Sequence, residues 1–334
     1  MQRLLNKPEN YVDEMLKGVL AAHPDKVKVV NDDLRCYVTV RKKSGKVGIA
    51  TGGGSGHLPL FMGYVGDGML DGASIGGVFQ SPSADQMYQV TREIDSGAGV
   101  LYIYGNYGGD IMNFDMAKEM AEFDDIKVMQ VVAGEDVASA PKGKENKRRG
   151  VAGIFFIFKC AGGAADAMLP LEEVARIAQK AADNVRTMGV ALTPCIIPEN
   201  GKANFEIAPG NMEIGMGIHG EPGIEKAPIR PADVIVSEML DRILPDLPYE
   251  SGDEVAVLVN GLGATPLEEL YIVYRRVHEL LTEKGIKAFK AYVGEYATSM
   301  DMAGMSVSLL KLDAELKKYL SMPCRTPFIS QEQL

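Results

Sequence analysis

The chain has 334 residues, 46% of them hydrophobic and 24% charged, which suits a soluble globular protein with room for two cores. A formal charge of −10 argues against nucleic acid, whose phosphates call for a basic surface. No apolar run reaches the roughly 18 residues that span a bilayer. The acidic start MQRLLNKPENYVDEML lacks the apolar centre of a secretory signal, so a cytoplasmic location is expected.

Along the chain, KVGIA (46–50), VLYIYG (100–105), IKVMQVV (126–132) and IFFIFK (154–159) read as buried strands. Segments with helical spacing, SADQMYQVTREIDS (83–96) and NFDMAKEMAEFDD (113–125), lie between them. PKGKENKRRG (141–150) reads as a solvated basic loop, the alternative being a docking surface for a phosphorylated partner. A long helical stretch follows over 164–188, divided by Pro170. VALTPCIIP (190–198), EVAVLVN (254–260), IKAFKAYV (286–293) and SVSLLKL (306–312) form a second set of strands. TPLEELYIVYRRVHELLTEKG (265–285) predicts a helix capped by Thr265, with Glu268 completing a capping box and Gly285 at its end. This alternation predicts an α/β fold of two α/β domains, 1–185 and 186–334, each with a largely parallel sheet core. The four cysteines, Cys36, Cys160, Cys195 and Cys324, form no CxxC pair and read as idle thiols.

Glycine marks the candidate site. There are 37, clustered in TGGGSGHLP (51–59), GYVGDG (63–68), YGNYGGD (104–110) and GMGIHGEPG (215–223). Such clusters suit backbone that must approach a ligand, and loops at the carboxyl ends of parallel strands gather on one edge. TGGGSGH fails as a dinucleotide fingerprint because His57 stands where the last glycine belongs. There is no P-loop, no protein-kinase signature and no G-x-S-x-G elbow. An ATP site of either common kind is therefore missing.

Of four histidines, His23 and His278 sit among charged or polar neighbours and read as structural or solvent-facing. His57 and His219 lie in Gly/Pro-rich loops, where either a ligand role or local packing would account for them. Asp110 is either a helix-capping residue or a carboxylate aimed into the same cleft. The three are too dispersed in sequence to favour a zinc site.

Taken together and in order, TGGGSGH followed by proline, SPS after a strand, NYGGDIMNFDMA, RRGVAG, MGIHGEPG, LVNGLGATPLEELY and GEYATSMDMAGMSVSLL resemble the K subunit of dihydroxyacetone kinases. The likeness runs from about residue 50 to 312, with a familiar RTPF near the end. It implies a homodimer of two-domain α/β chains in which His219 bonds covalently to the carbonyl carbon of a short ketose as a hemiaminal. It implies His57 and Asp110 as the other catalytic residues, and Gly54 and Ser81 as substrate contacts. No cofactor is expected on this chain. The family's all-helical nucleotide module, with Mg-ATP or ADP, does not follow before Leu334 and is expected on a partner subunit, recharged in some bacterial systems by a sugar phosphotransferase component. A place in glycerol metabolism follows from the same resemblance.

A hemiaminal needs a carbonyl, so capture of this kind would reject glycerol and fix the terminal hydroxyl for phosphorylation. Two positions depart from the family's habit. Leu58 replaces a glutamate, and Gly105 replaces a lysine before the NY of the aspartate loop. Both changes predict a roomier, less polar pocket that would accept a four-carbon ketose such as erythrulose. A regulatory paralogue that senses dihydroxyacetone and co-activates transcription is the other alternative; retention of Asp110 favours the enzyme. A dehydrogenase is disfavoured by the broken fingerprint.

Overall fold

The computed structural model describes residues 3–334. After α1 (Tyr11–Ala22) comes a six-stranded sheet built from β1 (Val27–Val30), β2 (Asp33–Thr39), β3 (Gly48–Ser55), β4 (Gly72–Val78), β5 (Val100–Gly105) and β6 (Val128–Ala133), in the order β1-β2-β4-β3-β5-β6. The pairs β3–β4, β3–β5 and β5–β6 are parallel. The β4-to-β5 connection carries α2 (Ala84–Ile94) and the β5-to-β6 connection α3 (Gly108–Phe123), while residues 56–71 cross from β3 to β4 with only a 3-10 turn at Met62–Tyr64. Ser83 and Gln86 form a reciprocal capping box at the start of α2. β5 shows why its sequence is an unbroken apolar run. Leu101 and Ile103 join the central core, while Val100, Tyr102 and Tyr104 pack with α2 and α3 on the other face.

The second sheet combines β7 (Val185–Ala191), β8 (Asn211–Ile214), β9 (Glu225–Pro228), β10 (Glu254–Gly261), β11 (Lys287–Gly294) and β12 (Gly304–Leu312), in the order β11-β10-β12-β7-β8-β9. α6 (Ala232–Asp246) and α7 (Leu267–Glu283) cover its outer face, and α8 (Ala314–Leu320) follows β12. Here the expectation of a largely parallel core is corrected. Only β10–β11, joined through α7, is parallel; the other four pairs are antiparallel. The connections from β11 to β12, β7 to β8 and β8 to β9 contain no helix. Without a crossover the chain returns in the opposite direction.

Between the sheets lie α4 (Ile154–Asp166) and α5 (Leu171–Asp183). IFFIFK therefore belongs to a helix and not a strand. Every residue of α4 from Ile154 to Ala165 is buried, so the segment has no polar face to reveal a helical period. Its core also takes Leu101 and Ile103 from the first sheet and Ala256, Leu258 and Leu310 from the second. The helical stretch expected over 164–188 divides at Pro170, which precedes α5, but its last residues form β7.

Thr265 does not cap α7. Its hydroxyl donates to the Gly304 carbonyl at 2.6 Å and accepts from the Gly304 amide at 2.8 Å, leaving Pro266 as the N-cap residue with no side-chain cap. Gly285 does follow the helix, with φ +70°. In the basic loop, 141–147 is exposed, but Arg148 and Arg149 turn inward. Arg148 forms a buried two-pronged pair with Asp246 at 2.8 and 2.6 Å. All four cysteines are free and buried.

Candidate active site

The site gathers at the carboxyl end of the first sheet and is closed by loops of the second. His57 follows β3, in a loop stitched to the 298–300 segment: Thr298 N–H donates to the His57 carbonyl at 3.2 Å and Met300 N–H to that of Gly56 at 2.8 Å. The segment is held in turn by Asn260 on β10, whose Oδ1 accepts from the Tyr296 and Ala297 amides, both at 2.8 Å, while its Nδ2 donates to the Ala297 carbonyl. This is the structural use of the LVNGLGATP and GEYATSMDM motifs.

His57 is 1% exposed. Its Nδ1 lies 2.7 Å from the Thr298 carbonyl, which can only accept, so Nδ1 carries the proton. Nε2 is then an acceptor, buried and without a partner among the described residues. Burial, reinforced by the neighbouring His219, pushes the His57 pKa down to about 3, so the ring stays neutral.

His219 sits in the loop between β8 and β9, half-buried, with its side chain 23% exposed. Glu221 grips it twice. One carboxylate oxygen is 2.8 Å from Nδ1 and the other accepts the His219 backbone N–H at 3.0 Å. Burial would raise the Glu221 pKa, but the hydrogen bond and charge of His219 outweigh it and hold the carboxyl down at about 2. An ionised carboxylate can only accept, so Nδ1 carries a proton, and in the neutral ring Nε2 is the nitrogen that holds the lone pair. Arg149 supports the loop through the Gly215 carbonyl at 2.8 Å and is itself anchored by Asp136 at 2.9 Å. Asn204 Nδ2 donates to the His219 carbonyl at 2.9 Å.

Three rings stand at right angles to the His219 imidazole: His57 and Tyr107, each 4.7 Å away between centroids, and Phe79 at 5.3 Å. Asp110 lies in the first turn of α3, 6% exposed, and its Oδ1 has no partner among the described residues. Burial pushes its pKa up to about 6, opposed by a hydrogen bond from Ser81 and by His219.

One small cavity is lined by Gly54, Gly105, Tyr107, Asp110, Ile218 and His219, among others. His57 meets this group through its contact with His219, and Ser81 through Asp110. Leu58 is placed elsewhere. It lines a second, larger cavity with Tyr11, Glu295 and Asp301, so replacing its charge opens no room beside His219.

Gly105 lines the cavity, but the room it leaves is not empty. A Cβ there would meet the Tyr107 ring at 2.9 Å, and the Tyr107 hydroxyl donates to the Gly150 carbonyl at 2.9 Å. Sequence reasoning passed over Glu221, Tyr107 and Phe79. Glu221 had a signal, a carboxylate two residues beyond a loop histidine. Tyr107 lay inside YGNYGGD and Phe79 two residues before SPS, and neither had a further signal.

Residues 17–328 match the family model described as the Dak1 domain. The chain is 47% identical, over 98% of its length and 99% of the relative's, to the protein of Listeria innocua named PTS-dependent dihydroxyacetone kinase 2, dihydroxyacetone-binding subunit DhaK. It is 42% identical, over 98% of its length but 56% of the relative's, to the D-erythrulose kinase of Mycolicibacterium smegmatis. Among solved structures, the dihydroxyacetone kinase of C. freundii superposes with a TM-score of 0.89 at 32% identity, over 99% of this chain and 60% of that one. The dihydroxyacetone kinase operon co-activator Dha-DhaQ superposes with a TM-score of 0.90 at 30% identity, over 96% of this chain and 98% of that one.

Proposed function

The chain belongs to the Dak1 domain family, and from that premise we propose that it is the ketose-binding subunit of a dihydroxyacetone kinase, a phosphotransferase whose acceptor is an alcohol group. The observation that carries the reading is the Glu221–His219 pair, which occupies Nδ1 and leaves Nε2 as the ring's remaining nitrogen beside a cavity that also holds Asp110.

Capture proceeds by attack of the His219 Nε2 lone pair on the carbonyl carbon. The N–C bond forms, the C=O π pair moves to oxygen, and that oxygen takes a proton from solvent to become a hydroxyl. The ring is left cationic, and the Glu221 carboxylate on Nδ1 balances its charge. The new hydroxyl is a donor, and the unpartnered Nε2 of His57 is the acceptor that meets it. Asp110 accepts the proton of the substrate's terminal hydroxyl as that oxygen bonds to phosphorus and the donor's P–O bond breaks. Ser81 steadies the Asp110 carboxyl, and Gly54, which also lines the cavity, lets the Phe79–Gln80 backbone pack against it.

The phosphoryl donor, Mg-ATP or a bound ADP recharged by a phosphotransferase component, belongs to a helical partner subunit. Two observations support that assignment: the sequence has no P-loop or protein-kinase signature, and the Listeria relative, matched over 99% of its length, is named as a dihydroxyacetone-binding subunit. We place the pair in the cytoplasm, with this chain as a homodimer feeding glycerol-derived ketone into central metabolism.

Relatives named erythrulose kinases give a four-carbon substrate some support, but Tyr107 fills the space over Gly105, which favours the three-carbon ketone. The co-activator's likeness raises a sensing role, against which stands the buried Asp110 carboxyl, whose Oδ1 has no partner among the described residues and which capture alone does not need. A coupled kinase assay with the cognate nucleotide-bearing subunit and a ketose panel tests the proposal. Turnover with dihydroxyacetone at least equal to that with erythrulose is expected; no turnover with any short ketose would leave the sensing role.

A further inference from the structure

β4 ends at Val78, and the next residue, Phe79, has φ +55°. A bulky residue is strained in this left-handed conformation, which glycine would adopt freely. The strain is held in place by the surrounding backbone. Phe79 N–H donates to the Ser55 carbonyl at 3.0 Å, and Gln80 N–H to that of Gly77 at 3.1 Å. The ring produced by this turn lies against both site histidines. It stacks on His57 at 5.0 Å with only 28° between the planes, and meets His219 edge-on at 5.3 Å and 85°.

Two of the glycines in TGGGSGH exist where they do because of this residue. A Cβ on Gly54 would come within 2.8 Å of the Phe79 Cα, and one on Gly56 within 2.7 Å of its ring carbon Cε1. The glycine run therefore makes space for Phe79 as well as for a ligand.

We infer that Phe79 is a positioning residue for ketone capture: its ring, forced into place by a strained turn, sets the perpendicular arrangement of His57 and His219. The inference rests on the reading of His219 as the capturing nucleophile. Beyond its Cβ–Cγ bond, the His57 ring is held by one hydrogen bond, from Nδ1 to the Thr298 carbonyl, and by the Phe61 ring edge-on at 6.4 Å, which leave it free to tilt about Cβ–Cγ. Flat stacking on Phe79 removes that freedom and keeps Nε2 turned to where the new hydroxyl forms. His219 is fixed at Nδ1 by Glu221, and the edge of Phe79 limits the same rotation there. Misplacement of reacting groups by about 1 Å costs on the order of 100-fold.

The test uses the full chain and dihydroxyacetone labelled with carbon-13 at the carbonyl. Capture converts a carbonyl resonance into that of a tetrahedral carbon, so adduct and free ketone are read separately. Phe79→Leu removes the ring, Phe79→Gly removes ring and strain together, and His219→Ala is the control. At temperatures well below each variant's Tm, both Phe79 variants should need at least about tenfold more ketone to reach half-saturation of the adduct, with Phe79→Gly melting no lower than Phe79→Leu. Parent-like adduct affinity in both folded variants, with capture abolished in His219→Ala, would overturn the role of Phe79 alone. Persistence of the adduct in His219→Ala would overturn the capture reading beneath it.

Discussion

His57 and His219 stand ring against ring, yet the fold gives them opposite surroundings. His57 is sealed in, with its Nδ1–H on a neutral backbone carbonyl. His219 is half-open, with its Nδ1–H on an ionised carboxylate. In both, the Nδ1 partner fixes the same tautomer and frees Nε2. What differs is the charge each ring can tolerate. A carbonyl offers no counter-charge, so His57 must stay neutral and can act only as an acceptor. A carboxylate would support the cation that the proposed bond from His219 to carbon creates. Residue type alone does not separate the roles; the group behind Nδ1 does.

The largest expected effect comes from removing the nucleophile. His219→Ala should lower kcat/KM for dihydroxyacetone by about 10,000-fold or more, in steady-state assays with the cognate nucleotide-bearing subunit. Glu221→Gln makes the environment of His219 resemble that of His57, because a neutral amide replaces the carboxylate. A loss of up to about 10,000-fold is expected, as when a tautomer-setting carboxylate is neutralised elsewhere. Activity within tenfold of the parent would break the comparison. His57→Ala removes only an acceptor for the new hydroxyl and should cost about 100-fold, with most of it appearing in ketose KM.

The pH dependence should follow Asp110. With its pKa raised to about 6, the carboxylate that accepts the hydroxyl proton is lost below that pH, and kcat/KM should fall by about fivefold between pH 6 and pH 5 and by about tenfold per unit below. The smallest effect is on stability. An acid whose folded pKa is raised costs stability once both states are ionised, so the penalty is full above about pH 6 and absent below its ordinary 3.8. Asp110→Asn should therefore stabilise the protein by about 1–3 kcal/mol at pH 8 and by nothing near pH 4, as read by chemical denaturation.

Much of the site was legible because glycine and histidine are conspicuous in loops after apolar runs. His57, His219, Asp110, Gly54 and Gly105 come together in space although they span 166 positions of sequence, from 54 to 219. The strands of the first sheet were legible where both faces are buried, as in VLYIYG, and β4 was not, because GASIGGV looks like loop composition. The same logic misled at IFFIFK, where a helix buried all round shows no period. The direction of the second sheet's strands was hidden, since it depends on which connections lack a helix. The space at Gly105 could not be judged from sequence either, because the ring that occupies it belongs to Tyr107, two residues away.

The account turns on a covalent bond from His219 Nε2, and a crystal of the protein soaked in dihydroxyacetone tests it most directly. Continuous density from Nε2 to a tetrahedral C2, with Glu221 still on Nδ1 and the new hydroxyl on His57 Nε2, is the predicted result. A fully occupied ketone, planar at C2 and separated from the ring by a van der Waals gap, would contradict it.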